Sequence, residues 1–348
     1  MKDNKELKVL DLFCGCGGLS LGFEMAGFRI VAGVDSWIDA LDTFQRNHNG
    51  AKAVKADLFS KTPKDIVETI QEDIDVVVGG PPCQGFSIAG KRMIDDPRNL
   101  LYKSFVEFVN VSLPRAFVME NVPNIISMNN GAIKSQIIED FNRIGYKVLV
   151  QVLDSSEYGV PQKRRRAIFV GIRKDSNREF TFPKGDNSVI TTAEAISDLP
   201  EGGLSDGAGY PTSTCTSYQA QMRMNSSGVF NHQPAVHNDK TVEIIRQVPD
   251  GGNYKSLPLH LHNTRKVNIA WTRMNSSKPC FTIDTGHNHH FHYLYNRVPT
   301  ARESARIQSF PDNFIFTGNK GSQLKQIGNA VPPLLAKQIA ISLKRVLI

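Results

Sequence analysis

The chain has 348 residues, 40% of them hydrophobic, and a formal net charge of +7. That length supports one sizeable core and a smaller second one, and the charge suits a polyanionic partner without exceeding what many ordinary enzymes carry. Five cysteines at 14, 16, 83, 215 and 280 make no disulfide ladder, residues 1–6 carry no hydrophobic signal, and no stretch reaches the ~20 apolar residues of a membrane span, so a reduced, soluble, intracellular chain is expected. Residues 9–13 read as a buried strand, and 19–26 as a helix closed by Gly27. A second strand over 30–34 and a second helix over 38–46 follow, then strands at 52–56, 75–78, 115–120, 148–153 and 167–172. Valine-rich strands alternating with helices predict an α/β fold with a doubly wound, mostly parallel sheet covered on both faces. From about Pro183 to His290 the texture changes to Gly, Ser, Thr, Asn and His with dense turn signals such as Glu201-Gly202-Gly203 and Asp250-Gly251-Gly252. That stretch still holds Phe, Trp, Tyr and aliphatics, and predicts a small, folded, irregular and mostly β domain rather than a disordered insertion. Helices return at 300–308 and 333–346.

Two segments carry chemistry. The first is Asp11-Leu12-Phe13-Cys14-Gly15-Cys16-Gly17-Gly18, where the first strand meets the first helix. Glycines there let a ligand approach the backbone and the helix N-terminus, and Asp35, ending the next strand, is placed for a ribose hydroxyl pair. The ligand should contain a nucleoside. Ser20 stands where a dinucleotide fingerprint needs its third glycine, which favours S-adenosylmethionine and leaves NAD open at this point. Asp57, after the third strand, reads alone as a helix cap.

The second segment is Gly79-Gly80-Pro81-Pro82-Cys83-Gln84-Gly85-Phe86-Ser87, which follows the fourth strand. Stiff prolines flanked by glycines can fix one thiol at the carboxyl edge of the sheet, which makes Cys83 a nucleophile candidate rather than a buried packing residue. Glu120 ends the next strand, placed either for proton work or as a surface or capping acid. Gln162-Lys163-Arg164-Arg165-Arg166 is the densest basic run, and strand alternation would put Arg164 and Arg166 on one face with Gln162 in line, facing a base, phosphates or solvent.

Together these blocks resemble the bacterial and phage DNA (cytosine-5) methyltransferases over nearly the whole chain. The resemblance adds Arg302-Glu303-Ser304-Ala305-Arg306-Ile307-Gln308-Ser309-Phe310-Pro311-Asp312 and Gln326-Ile327-Gly328-Asn329-Ala330-Val331-Pro332-Pro333, with all six blocks in the family's order. It implies a methyltransferase of Rossmann-like fold that converts S-adenosylmethionine to S-adenosylhomocysteine without a metal. It implies a catalytic domain over 1–185 plus 295–348, and a target-recognition domain over 186–294. Phe13 would stack on the cofactor adenine, Gly15, Gly17 and Gly18 would lie by its methionine part, and Asp35 would hold the ribose, where most relatives carry Glu. Asp57 would approach the adenine amine, and Pro81, Asn329 and Val331 would complete the cofactor side. Cys83 would attack C6 of a flipped cytosine, Glu120 would hold the N3 edge, and Arg164 and Arg166 would complete the catalytic set, with Arg166 at O2. Residues 87–99 look like a mobile loop closing over the base. The resemblance further implies double-stranded DNA as substrate in a cleft between two lobes, a prokaryotic cytoplasmic, nucleoid-associated location, a monomer with no N-terminal regulatory domain, no membrane, and a restriction endonuclease as functional partner only.

Two features sit less easily. Gly286-His287-Asn288-His289-His290-Phe291-His292 is histidine-dense but has no cysteine at metal spacing, so DNA contacts or turn structure are expected there rather than zinc. Tyr254, Arg265 and Arg273 are further candidate DNA contacts. Cys280-Phe281-Thr282 matches a triplet of the tRNA-methylating branch of the superfamily, which makes tRNA the alternative substrate.

Overall fold

Val76-Val77-Val78 has only branched apolar side chains, which suit a strand buried on both faces, and in the computed structural model it lies at the centre of a seven-stranded sheet. The structure describes residues 6–82, 101–186, 188–264, 271–285 and 290–348. The strands of the sheet are β1 (Lys8–Leu12), β2 (Arg29–Asp35), β3 (Lys52–Lys55), β4 (Val76–Gly79), β5 (Ala116–Asn121), β6 (Tyr146–Asp154) and β7 (Arg165–Arg173). With them run α1 (Gly18–Met25), α2 (Ile38–Asn47), α3 (Pro63–Ile70), α4 (Leu101–Ser112) and α5 (Ala132–Arg143). Then come α6 (Thr192–Ile196), α7 (Ser217–Arg223), α8 (Asp239–Arg246), the short strands β8 (Thr272–Arg273) and β9 (His290–Phe291), α9 (Ala301–Ile307), α10 (Lys320–Asn329) and α11 (Pro333–Leu347).

The sheet order is β3-β2-β1-β4-β5-β7-β6. β1 to β5 are parallel, and β7 runs antiparallel to both β5 and β6. The order reverses between β1 and β4, and ligands of open α/β sheets bind outside the carboxyl ends of strands at such a reversal. Leu12 pairs with Gly79, and Gly79 with Met119. The glycine turn, the Gly80-Pro81 segment and Glu120 therefore leave adjacent strands at one level. Beneath them, Phe105, Phe117, Phe141 and Tyr146 are fully buried, with Phe117 stacked on Phe141 at 3.9 Å. No helix among the described residues is long and apolar enough to cross a membrane.

The chain divides into two compact units. The first comprises residues 1–154, 165–185 and 331–348, and the second 155–164 and 186–330. The first closes with α11 against α1: Lys344 Nζ donates to the carbonyls of Ala26 and Gly27, each at 2.9 Å, where a cation also suits the helix C-terminus.

The second unit differs from the expected mostly β domain. Among its described residues the only named strands are β8 and β9, of two residues each, and five short α-helices and three 3-10 helices stand among turns and loops. Buried ion pairs and side-chain bonds to backbone do the work that ladders do elsewhere, because turn-rich sequence leaves many main-chain groups to satisfy. Arg306 pairs with Asp198 and, at 2.7 Å, with Asp312. Arg302 is fully buried and donates to the carbonyls of Phe230, Pro311 and Phe314. Glu303 closes a capping box with Thr300 and takes both Nη atoms of Arg297, at 2.7 and 2.8 Å. Burial alone would raise the Glu303 pKa, but His292 and Arg297 outweigh it and hold the carboxyl at about 2. These ties place residues 295–330 in the second unit, so the return to the first comes at Val331 rather than at 295.

Candidate active site

In the glycine turn, Phe13 has φ 56, a left-handed conformation that costs a bulky side chain of order 1–3 kcal/mol and tends to be kept where function over-determines it. Its ring is half-buried and packs on the sheet's core. Gly15 follows with φ 52, donates its N–H to Asp35 Oδ2 at 2.8 Å, and has open space where a Cβ would point. Asp35 Oδ1 accepts from Trp37 N at 2.9 Å. Each Asp35 oxygen thus holds one backbone N–H and keeps a second lone pair, which suits a ribose hydroxyl pair. Gly17, the N-cap of α1, is also required by packing: a Cβ there would lie 2.1 Å from His48 Nε2. Gly18 is buried as the first residue of α1. Asp57 is exposed and caps its own turn through Phe59 N at 3.0 Å. Trp37, two residues beyond Asp35 and half-buried at the same edge, went unremarked in the sequence, where only its aromatic type beside that acid could have signalled it.

The carboxyl end of β5 brings the second group together. Arg166 Nε lies 2.8 Å from Glu120 Oε1, with the two side chains 15% and 13% exposed. Gly80 faces the other carboxylate oxygen closely, since a Cβ there would lie 3.1 Å from Oε2. Asn121 Nδ2 donates to Pro81 O at 3.0 Å and fixes the segment that leads to position 83. Cys83 itself and residues 87–99 lie outside the described residues. Cys14 and Cys16 are buried thiols beside the turn; burial raises both, Cys16 to about 12, so neither offers a thiolate at neutral pH.

Arg164 goes elsewhere. β7 begins at Arg165, and Arg164, 2% exposed, belongs to the second unit. There its guanidinium donates to Gly328 O at 2.8 Å and to Ile283 O at 3.4 Å. Gln162 is likewise buried in that unit, with Ile283 N donating to its Oε1 at 3.1 Å. Asn329 ends α10 with an exposed side chain, and Val331 is buried just before α11. Two candidate DNA contacts prove to be interior: Arg273 is spent on carbonyls including Val248 and Ile245, and His292 accepts from Leu294 and Tyr295 N–H groups. Tyr254 packs partly on a small core of the second unit. Cys280 is buried and its backbone bridges Pro161 and Lys163. Arg265, His287 and His289 lie outside the described residues, among which no group of His, Cys, Asp and Glu could hold a metal.

The model of the C-5 cytosine-specific DNA methylase family matches residues 7–345. The chain belongs to that family. As a DNA methylase it is 38% identical to the Type II methyltransferase M.DdeI of Desulfomicrobium norvegicum, over 96% of this chain and 88% of that one. It is 39% identical to the Type II methyltransferase M1.HphI of Haemophilus parahaemolyticus, over 96% and 86%. A crystal structure described as a DNA modification methyltransferase encoded within a prophage (E. coli) superposes with a TM-score of 0.82 at 27% identity, covering 98% of this methylase and 99% of its own chain. The methylase therefore acts on cytosine in DNA and uses a methyl donor.

Proposed function

We propose that the methylase transfers a methyl group from S-adenosylmethionine to carbon 5 of a cytosine flipped out of a specific duplex sequence, through a covalent bond between Cys83 and carbon 6. The observation that carries this reading is the Glu120–Arg166 pair beside Gly80-Pro81, two strands over from the glycine turn. Carbon 5 of cytosine is a weak nucleophile, and thiolate addition at carbon 6 makes an enamine of the ring. Glu120 holds the N3 and amino edge and stabilises the protonated ring, while Arg166 fixes that carboxylate and lies at the O2 edge. Phe13, Gly15, Gly17, Gly18, Asp35, Trp37 and Pro81 hold the donor, and Asp57 and Val331 close around it. The bound donor supplies an electrophilic methyl group. After transfer, the carbon 5 proton leaves and the Cys83 bond breaks, restoring the ring. None of these contacts reaches a stacked base, so the cytosine must leave the duplex.

The second unit reads the target sequence. Because the curated relatives are named Type II methyltransferases, we further read the chain as a monomeric modification enzyme whose endonuclease partner is functional rather than physical. Labelled S-adenosylmethionine, unmethylated duplex DNA and, in parallel, tRNA provide the test, with products digested to nucleosides and weighed. 5-Methyldeoxycytidine is expected. Cys83→Ser should bind donor and transfer nothing; near-normal turnover in that variant would overturn the covalent route.

A further inference from the structure

Asp11 has no task in the reading above. It lies at the carboxyl end of β1, paired between Gly33 of β2 and Val78 of β4, and is 1% exposed. Its Oδ2 accepts the Ser20 hydroxyl at 2.6 Å, assisted by the Ser20 backbone N–H. Ser20 stands in the first turn of α1, whose own N-cap, Gly17, offers no side chain. The carboxyl is thus a remote cap set under the glycine turn. Its Oδ1 is buried with no hydrogen-bond partner among the described residues. No cation pairs with it among them either. The titratable groups facing it are Asp35 from β2 and the thiols of Cys14 and Cys16 from the turn, while its partners Gly33 and Val78 bring none. Burial, reinforced by the charge on Asp35 and opposed by Ser20, raises its pKa to about 7.

We propose that Asp11 is a positioning residue that senses ligand charge: it gives up its proton when a cationic methyl donor occupies the glycine turn and keeps it when the uncharged product thioether does. The inference rests on that turn being the S-adenosylmethionine site. Donor and product share the same nucleoside and amino-acid ends and differ in the methyl group and the positive charge on sulfur. In a buried site a nearby cation stabilises the carboxylate over the acid, and a neutral sulfur does not. Donor binding and deprotonation of Asp11 are then reciprocally linked. The enzyme's preference for donor over product rises with pH across neutrality.

Calorimetric titration of the full chain with S-adenosylmethionine and with S-adenosylhomocysteine, at pH 6 and pH 8 and in two buffers of different ionisation enthalpy, tests this. If the sulfonium makes the carboxyl about tenfold more acidic, donor Kd should fall about fivefold from pH 6 to pH 8, with proton release near pH 7. Product Kd should stay flat. Asp11→Asn keeps an acceptor for Ser20 and should remove the donor's extra pH dependence, and subtracting it cancels titration of the ligands' own amino groups. Ser20→Ala, which removes one stabilising bond to the carboxylate, should move the transition to higher pH. Equal pH dependence and proton release for both ligands would overturn the role of Asp11, as would a differential that survives in Asp11→Asn. Failure of either ligand to bind at any pH would instead overturn the reading of the turn.

Discussion

Gly80→Ala tests the geometry of the Glu120 site with a single methyl group. The new Cβ would lie 3.1 Å from Glu120 Oε2, about 0.3 Å short of the 3.4 Å at which ordinary contact begins. The carboxylate has little room to retreat, because Arg166 Nε holds Oε1 at 2.8 Å. The backbone at position 80 is also fixed, with Gly79 in β4 and Pro81 O bound by Asn121 at 3.0 Å. The carboxylate must therefore rotate or shift by a few tenths of an ångström. Catalytic groups tolerate roughly 0.5 Å of misplacement, and an error of about 1 Å can cost 10²-fold. The expected result is a kcat lowered about three- to tenfold, read in single-turnover methylation of duplex DNA. Donor Kd should be unchanged and the thermal midpoint should stay within about 1 °C, a shift of under about 1 kcal/mol. Wild-type turnover would refute the idea that Glu120 is held in a working position. A loss confined to donor affinity would assign Gly80 to the cofactor rather than to the carboxylate.

Three further outcomes are expected. Arg166→Ala leaves the Glu120 carboxylate without its partner and should lower kcat by about 10²–10³ with donor affinity intact; unchanged kinetics would show that another residue orients Glu120. Arg164→Ala, which strips the buried carbonyls of Gly328 and Ile283 of their donor, should cost about 2–4 kcal/mol of stability; a thermal midpoint unchanged beside a collapsed kcat would instead make Arg164 catalytic. The Glu303 carboxyl is held below its ordinary 4.5 by His292 and Arg297, so its contribution to stability is present above pH 4.5 and is lost as pH falls below that; in Glu303→Gln the slope of stability with pH should flatten in that window, and an identical acid titration of both proteins would contradict it.

The first unit was largely legible in the sequence because its signals are local. Valine runs made strands, glycines closed α1, and 9–13, 30–34 and 75–78 fall within a residue or so of β1, β2 and β4. Asp35 and Glu120 could be singled out because strand ends place their side chains by period alone. The second unit was legible only as a change of texture. Its folding rests on pairs such as Arg306 with Asp198, 108 positions apart, and no periodicity announces a charge that will be buried. The same limit applies to Arg164, Arg273 and His292, whose polar types suggested surface work although their partners are interior carbonyls and N–H groups. Gly17 carries a constraint that the motif did not announce: His48 beneath it leaves no room for a side chain.

The seam between α1 and α11 bears on how the enzyme is born. A Cβ on Gly22 would lie 2.3 Å from that of Ala336 and 2.6 Å from Pro333 O, and Lys344 reaches back across 318 positions to Ala26. On the ribosome α1 emerges early and α11 hundreds of residues later. Through all of that synthesis the stripe of Leu19, Gly22 and Phe23, buried in the finished fold, lacks its cover. A nascent chain cut short between residue 87 and α11 therefore contains both chemical segments while its α1 still shows an apolar stripe of the kind that chaperones and proteases bind.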